Sequence, residues 1–172
     1  DPNFGFFWNK KAFREAGLDP QNPPKTFEQM DRMAKQLTSV RDGRLESAGI
    51  IPWMIYGKAN SLFTWGWAFG GKFFDDENNR VTADHPRIVS ALEWMLSYAE
   101  QYDIRRIASL ATGFGSAEQN PFFTGKIAMQ PMIVYTLREI ERYRPELEFG
   151  VTELPQPSGG VRNSSWVGGW CL

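Results

Sequence analysis

The chain has one cysteine and one histidine in 172 residues. Cys171 alone excludes an internal disulfide and leaves the redox compartment open. With His85 it falls short of the ligands of a structural zinc site. A charge of one sign is missing too. The 19 Lys and Arg against 20 Asp and Glu leave a net charge of −1, and no more than two basic residues adjoin. A nucleic-acid partner needs a concentrated basic face, and an anionic membrane surface asks for the same. No apolar run reaches the roughly 18 residues of a membrane-spanning helix.

Catalytic fingerprints are also lacking. There is no G-x-S-x-G elbow and no phosphate loop. The nearest approach to a dinucleotide motif, Gly113-x-Gly115-x-x-Glu118, has glutamate where the third glycine belongs. A Ser-His-Asp triad would have to use His85, whose place before Pro86 at a helix start is accounted for by capping. Asp75, Asp76 and Glu77 crowd the segment DDENN (75–79), without the alternating ligands, glycine and distant glutamate of a calcium loop. They read as a solvated hairpin turn. Glu93, Glu118 and Glu139 offer carboxylates but no visible pairing for glycoside hydrolysis. No cofactor, metal or catalytic residue is expected.

Aromatic residues are abundant, at 15% with seven tryptophans. The stretch NSLFTWGWAFGGKFF (60–74) concentrates them. Asn60 and Ser61 are helix-start residues, and Gly70-Gly71 is a helix stop. A helix over about 62–69 follows, then a strand at Lys72–Phe74. A helix this aromatic either lies in a core or lines a ligand cleft with its N-terminal end.

The remaining chain alternates strands with helices. Phe4–Trp8 predicts a buried strand. Asn9 caps a helix over Lys10–Ala16 that stops at Gly17. Thr26 and Gln29 form a capping-box pattern ahead of a helix with Phe27, Met30, Met33, Ala34 and Leu37 on one face. Arg41–Ser47 reads as a loop and Gly49–Trp53 as a short strand ended by Pro52. A hairpin spans residues 73–82. Asp84 caps the longest helix, with Pro86 in its first turn and a stripe of Ile88, Leu92, Met95, Leu96, Ala99 and Tyr102. Residues 108–115 carry no clear pattern. A helix is expected over Ser116–Phe123, a strand over Lys126–Gln130, and a helix from Pro131 to about Tyr143. Strands close the chain at Phe149–Leu154 and Ser165–Leu172. The class is α/β, with helices packed on a mixed, partly parallel sheet.

Several blocks carry a family resemblance, in order along nearly the whole chain. They are FFWNKKAFREAGLDPQNPPKTFEQM (6–30), FTWGWAFGGKFFDDENNRVTADHPRIVSALEWMLSYAEQY (63–102), NPFFTGKIAMQP (120–131), and FGVTELPQPSGG (149–160) with SWVGGW (165–170). Together they resemble the maltose-binding-protein-like extracellular solute-binding proteins of ABC sugar importers. The resemblance implies a periplasmic-binding-protein type II fold, with residues 1–172 forming one lobe, mainly the C-terminal one, of a two-lobed protein. The chain opens inside a strand pattern and stops on apolar residues, so it reads as cut at both ends.

The function implied is binding of a sugar or oligosaccharide in an interlobe cleft for delivery to ABC permease subunits in the membrane. The protein would be a monomer, periplasmic or lipid-anchored at the cell surface. The resemblance places Tyr135 at the sugar-stacking position. Trp170 stands at a ligand-contacting aromatic position after Gly168-Gly169, and Gly169 lets a ligand approach the backbone. Asn60 and Leu62 fall at the ligand-facing start of the aromatic helix, where Leu62 departs from the aromatic residue common there. Trp65 faces either cleft or core. Trp67, Trp53, Trp94 and Phe149 are assigned to the core, and Phe4 is a candidate for the cleft edge. Two other classes stay open: a carbohydrate-active enzyme, and an interaction module whose aromatics form a partner surface.

Overall fold

The computed structural model describes residues 4–54, 60–112 and 117–157. Strand β1, Phe4–Asn9, is buried on both faces. Phe4, Phe6 and Trp8 enter a large core, and Phe7 enters a smaller one. Asn9 ends the strand and caps helix α1, Lys10–Glu15; its Oδ1 accepts the Ala12 N–H at 3.0 Å. The Thr26 capping box forms. Thr26 Oγ1 accepts the Gln29 N–H at 3.3 Å, and Gln29 Oε1 accepts the N–H of Lys25, one residue before the cap, at 2.8 Å. Helix α2, Phe27–Leu37, then buries Phe27, Met30, Ala34 and Leu37, as its apolar period requires.

Residues 41–47 form no loop. β2, Ser39–Arg41, and β3, Arg44–Ser47, pair as an antiparallel hairpin. Asp42 and Gly43, at φ 49° and 74°, make the two-residue turn that Asp-Gly favours. The strand expected over Gly49–Trp53 does not form; Ala48 just before it makes one parallel bridge with Ile127, and the Gly49 carbonyl accepts the Met129 N–H at 2.8 Å. Pro52 has no N–H to extend a ladder, and the chain turns there instead, with the Met54 N–H donating to the Ile51 carbonyl at 3.0 Å. Gly49 lets this segment press on α2: a Cβ at that position would stand 2.3 Å from Ala34 Cα.

Helix α3, Asn60–Ala68, is followed by the short hairpin of β4, Phe74–Asp75, and β5, Arg80–Val81. Helix α4, Pro86–Tyr102, is capped by His85 rather than Asp84; His85 Nδ1 accepts the Arg87 N–H at 3.2 Å. Its buried stripe is Ile88, Ala91, Met95, Tyr98 and Tyr102. Leu92 and Leu96, expected inside, are 52% and 55% exposed, because α4 meets its neighbours over one narrow face. Helix α5, Ile104–Ala111, is capped by Asp103, and its last four residues belong to the stretch from 108 that carried no clear pattern.

The helix expected over 116–123 reduces to a 3₁₀ turn at Ala117–Gln119. Strand β6 is Met129–Ile133, so the helix expected from Pro131 begins five residues later, as α6, Thr136–Tyr143. Pro131 sits in the strand opposite Phe6. An edge strand accepts a residue with no N–H. Strand β7, Phe149–Thr152, completes a sheet of order β6-β1-β7. Gly150 passes so close to Trp8 that a Cβ would stand 2.1 Å from its ring. The final expected strand, 165–172, lies outside the described residues.

The fold is α/β, as expected, but the strand pairs are antiparallel among the described residues. Among the described residues, parallel pairing is limited to the bridges Thr26 with Gln156 and Ala48 with Ile127. The larger core takes side chains from one face of β1 and from α2, α3 and α4; the smaller gathers Phe7, Phe122, Phe123, Met132 and Ile140.

Candidate ligand-binding site

At one end of the sheet Phe4 pairs with Ile133. Two residues on, Tyr135 stands where the chain leaves β6 and enters α6. It is 57% exposed, it has helical backbone angles, and its side chain makes no capping hydrogen bond. Val134 beside it is exposed as well. The sheet thus delivers a free aromatic face at its rim. Phe4, a candidate for the cleft edge, belongs instead to the larger core at 8% exposure, because a central strand covered on both sides holds its side chains inside.

Helix α3 presents Ser61, Thr64, Trp65 and Ala68 inward, at the spacing of one helical face. Trp65 is fully buried, so of its two readings the structure supports the core. Its indole Nε1 donates to the Pro52 carbonyl at 2.7 Å, and its ring lies 4.9 Å from that of Trp94. Leu62 is half-buried and packs on the edge of the larger core. Asn60 is the helix's first residue. Trp67, expected in the core, is half-buried; it packs with Phe63 and Phe73 at centroid distances of 6.0 and 5.6 Å, outside the two core clusters. Trp53 and Trp94 pack partly buried against the larger core and Phe149 against the smaller. Trp170 and Gly169 lie outside the described residues.

The charged groups are arranged for structure. Asp75 holds its own turn, accepting from the Glu77 and Asn78 N–H groups and the Asn78 side chain. The Asn78 contacts keep its carboxyl below its ordinary range, which suits a solvated turn. Among the described residues no group of three His, Cys, Asp or Glu could hold a metal. Sequence reasoning missed three buried polar side chains, Gln130, Ser61 and Thr64. In the described structure their Oε1, Oγ and Oγ1 have no hydrogen-bond partner. The available signal for Gln130 was its isolation in the apolar run Ala128–Ile133.

An α/β domain with a bare aromatic at its sheet rim is suited to binding. The chain belongs to the bacterial extracellular solute-binding protein family, whose profile it matches over residues 1–170. Its fold is the periplasmic-binding-protein type II fold. It is 34% identical to CpMnBP1, solved with mannobiose bound, with a TM-score of 0.82 over 93% of this chain and 40% of that one. The same protein with mannotriose bound gives 33% identity and a TM-score of 0.81. Among curated proteins, it is 24% identical to the sn-glycerol-3-phosphate-binding periplasmic protein UgpB of Pectobacterium atrosepticum. That match covers 96% of this chain and 36% of UgpB, so the chain spans little over a third of that relative. The family is extracellular and UgpB is periplasmic, which fits the expected location outside the cytoplasm.

Proposed function

We propose that this chain is the C-terminal-type lobe of a two-lobed solute-binding protein of an ABC importer. The whole protein binds a neutral sugar or oligosaccharide between its lobes and presents it to permease subunits in the membrane. It binds as a monomer and does not transform its ligand. The observation that carries this reading is the exposed Tyr135 at the sheet rim of a chain one-third identical to a mannobiose-bound protein. A flat aromatic face matches the apolar C–H face of a pyranose ring. Asn60, Leu62, Trp170 and Gly169 are proposed as further contacts. Closure of the lobes is driven only by the extra affinity of the ligand for the closed form.

Calorimetry of the whole protein with mannobiose, mannotriose and sn-glycerol-3-phosphate tests this. A saturable heat with a manno-oligosaccharide, lost or strongly weakened by Tyr135→Ala, is expected. Binding of sn-glycerol-3-phosphate alone would replace the neutral sugar with a phosphate ester. Hydrolysis of the oligosaccharide during the titration would replace binding with catalysis.

A further inference from the structure

Strand β6 carries one polar side chain within its buried run. Gln130 is 7% exposed and lies opposite Phe7 in the register. Its amide nitrogen donates to the Met54 carbonyl. The same turn is gripped from another side, where Trp65 Nε1 donates to the Pro52 carbonyl at 2.7 Å. Two carbonyls of one short turn are therefore held by side-chain donors from two different elements, β6 and α3. The turn itself makes few backbone bonds among the described residues: Pro52 lacks an N–H, and Met54 bonds back to Ile51, while Ile51, Trp53 and Met54 pack in or against the larger core. Each of the joined elements bears a proposed sugar contact. Leu62 lies three residues before Trp65 on α3, and Tyr135 follows two residues after β6 ends.

Resting on the sugar-binding reading, we propose that Gln130 is a positioning residue for that site. Together with Trp65 it clamps the Pro52–Met54 turn and so ties the middle of α3 to the beginning of β6, the elements that carry Leu62 and lead to Tyr135. The ligand then meets Leu62 and Tyr135 at a preset separation and spends no binding energy on aligning them. Glutamine suits this post, because an apolar side chain of its size would leave the part-buried Met54 carbonyl without this donor. The cost is visible in its unpartnered Oε1. Ser61 and Thr64, on the inward face of α3, share that condition among the described residues. Local rules are broken in this way where function sets the geometry.

The whole protein, mannobiose as probe, and the variants Gln130→Leu and Gln130→Glu test the clamp. Gln130→Leu, folded by circular dichroism, loses affinity by about tenfold, the scale of one preorganised contact. Gln130→Glu gives a readout that a merely structural role does not move. An ionised carboxylate cannot donate to Met54, so binding is weak at about pH 8; burial raises the carboxyl pKa, and the protonated acid donates again toward about pH 5. Affinity therefore returns on acidification in the glutamate variant and stays level in the parent. Variants that melt lower yet bind mannobiose as the parent does, at every pH, overturn the proposal. Hydrogen exchange decides the matter even if no manno-oligosaccharide binds the parent. The clamp requires faster exchange both in the first turns of α3 and around Tyr135 in whichever variant folds, and unchanged exchange there overturns it.

Discussion

Tyr135 leaves most of its ring bare although the strand leading to it is buried up to Met132. An aromatic side chain has few torsions to freeze, so such a ring gives contact area at small entropic cost. If stacking is its role, the ring matters and the hydroxyl does not. Tyr135→Ala is expected to weaken manno-oligosaccharide binding about tenfold, and Tyr135→Phe by less than about threefold, on the scale of aromatic contacts; calorimetry separates the two. An equal loss in both variants would make Tyr135 a hydrogen-bonding residue. Thr64 poses the opposite question. Its hydroxyl is buried without a partner in the described structure, and valine has the same shape without the oxygen. Thr64→Val is expected to raise the unfolding free energy by about 1 kcal/mol, the size of a desolvation penalty removed. Urea melts measure it, and a loss of stability would show that the hydroxyl is bonded.

The seam between α2 and α4 shows what joins the helices that back the site. Asp31 accepts from Trp94 Nε1 at 3.0 Å and from the Tyr98 hydroxyl at 2.5 Å. Thr38 Oγ1 lies 2.9 Å from the Tyr102 hydroxyl and accepts the Gly49 N–H at 3.0 Å. Burial first, and then the Asp31 hydrogen bond, push the Tyr98 phenol well above its usual range; burial raises that of Tyr102 too, against a smaller lowering by Thr38. The folded state therefore holds these protons more tightly than the unfolded chain, whose tyrosines release them near pH 10. Stability from this source is complete below about pH 10 and declines as pH rises above it. Equilibrium unfolding at stepped alkaline pH checks this, and Asp31→Asn should flatten the decline. Helix α2 was also the most legible part of the sequence, whereas α4 was expected to be capped by Asp84 and to bury Leu92 and Leu96. Asn9, Thr26 and His85 cap within three residues of themselves, and the period of α2 is local. The hairpin of β2 and β3 was hidden by its polarity, although Asp42-Gly43 marked its turn. The boundary at Pro131 was misplaced because pairing with β1 overrides a residue that also suits a helix start. Tyr135 was legible only through resemblance. Gln130 stood out only as a polar residue in an apolar run, and its role was not legible, since its partner carbonyl lies 76 positions away.

At the scale of the molecule, one three-stranded sheet separates the larger core from the smaller and carries Tyr135 at its rim. A ligand held at such a rim touches one lobe and leaves its other side to be covered. Two consequences of ligand binding are then separable. Any ligand that binds only the folded state stabilises it, by about 2.7 kcal/mol at one hundred times its dissociation constant. Closure needs more: the ligand must bind the closed form better than the open one. Mannotriose is therefore expected both to raise the melting temperature of the whole protein and to shrink its radius of gyration in small-angle scattering. Tyr135→Ala should shift both effects to higher ligand concentration by the same factor, because stacking on this lobe comes before closure over it. If mannotriose raises the melting temperature and leaves the radius unchanged, the sugar sits on this lobe alone, and the two-lobed clamp is the part of the reading that fails.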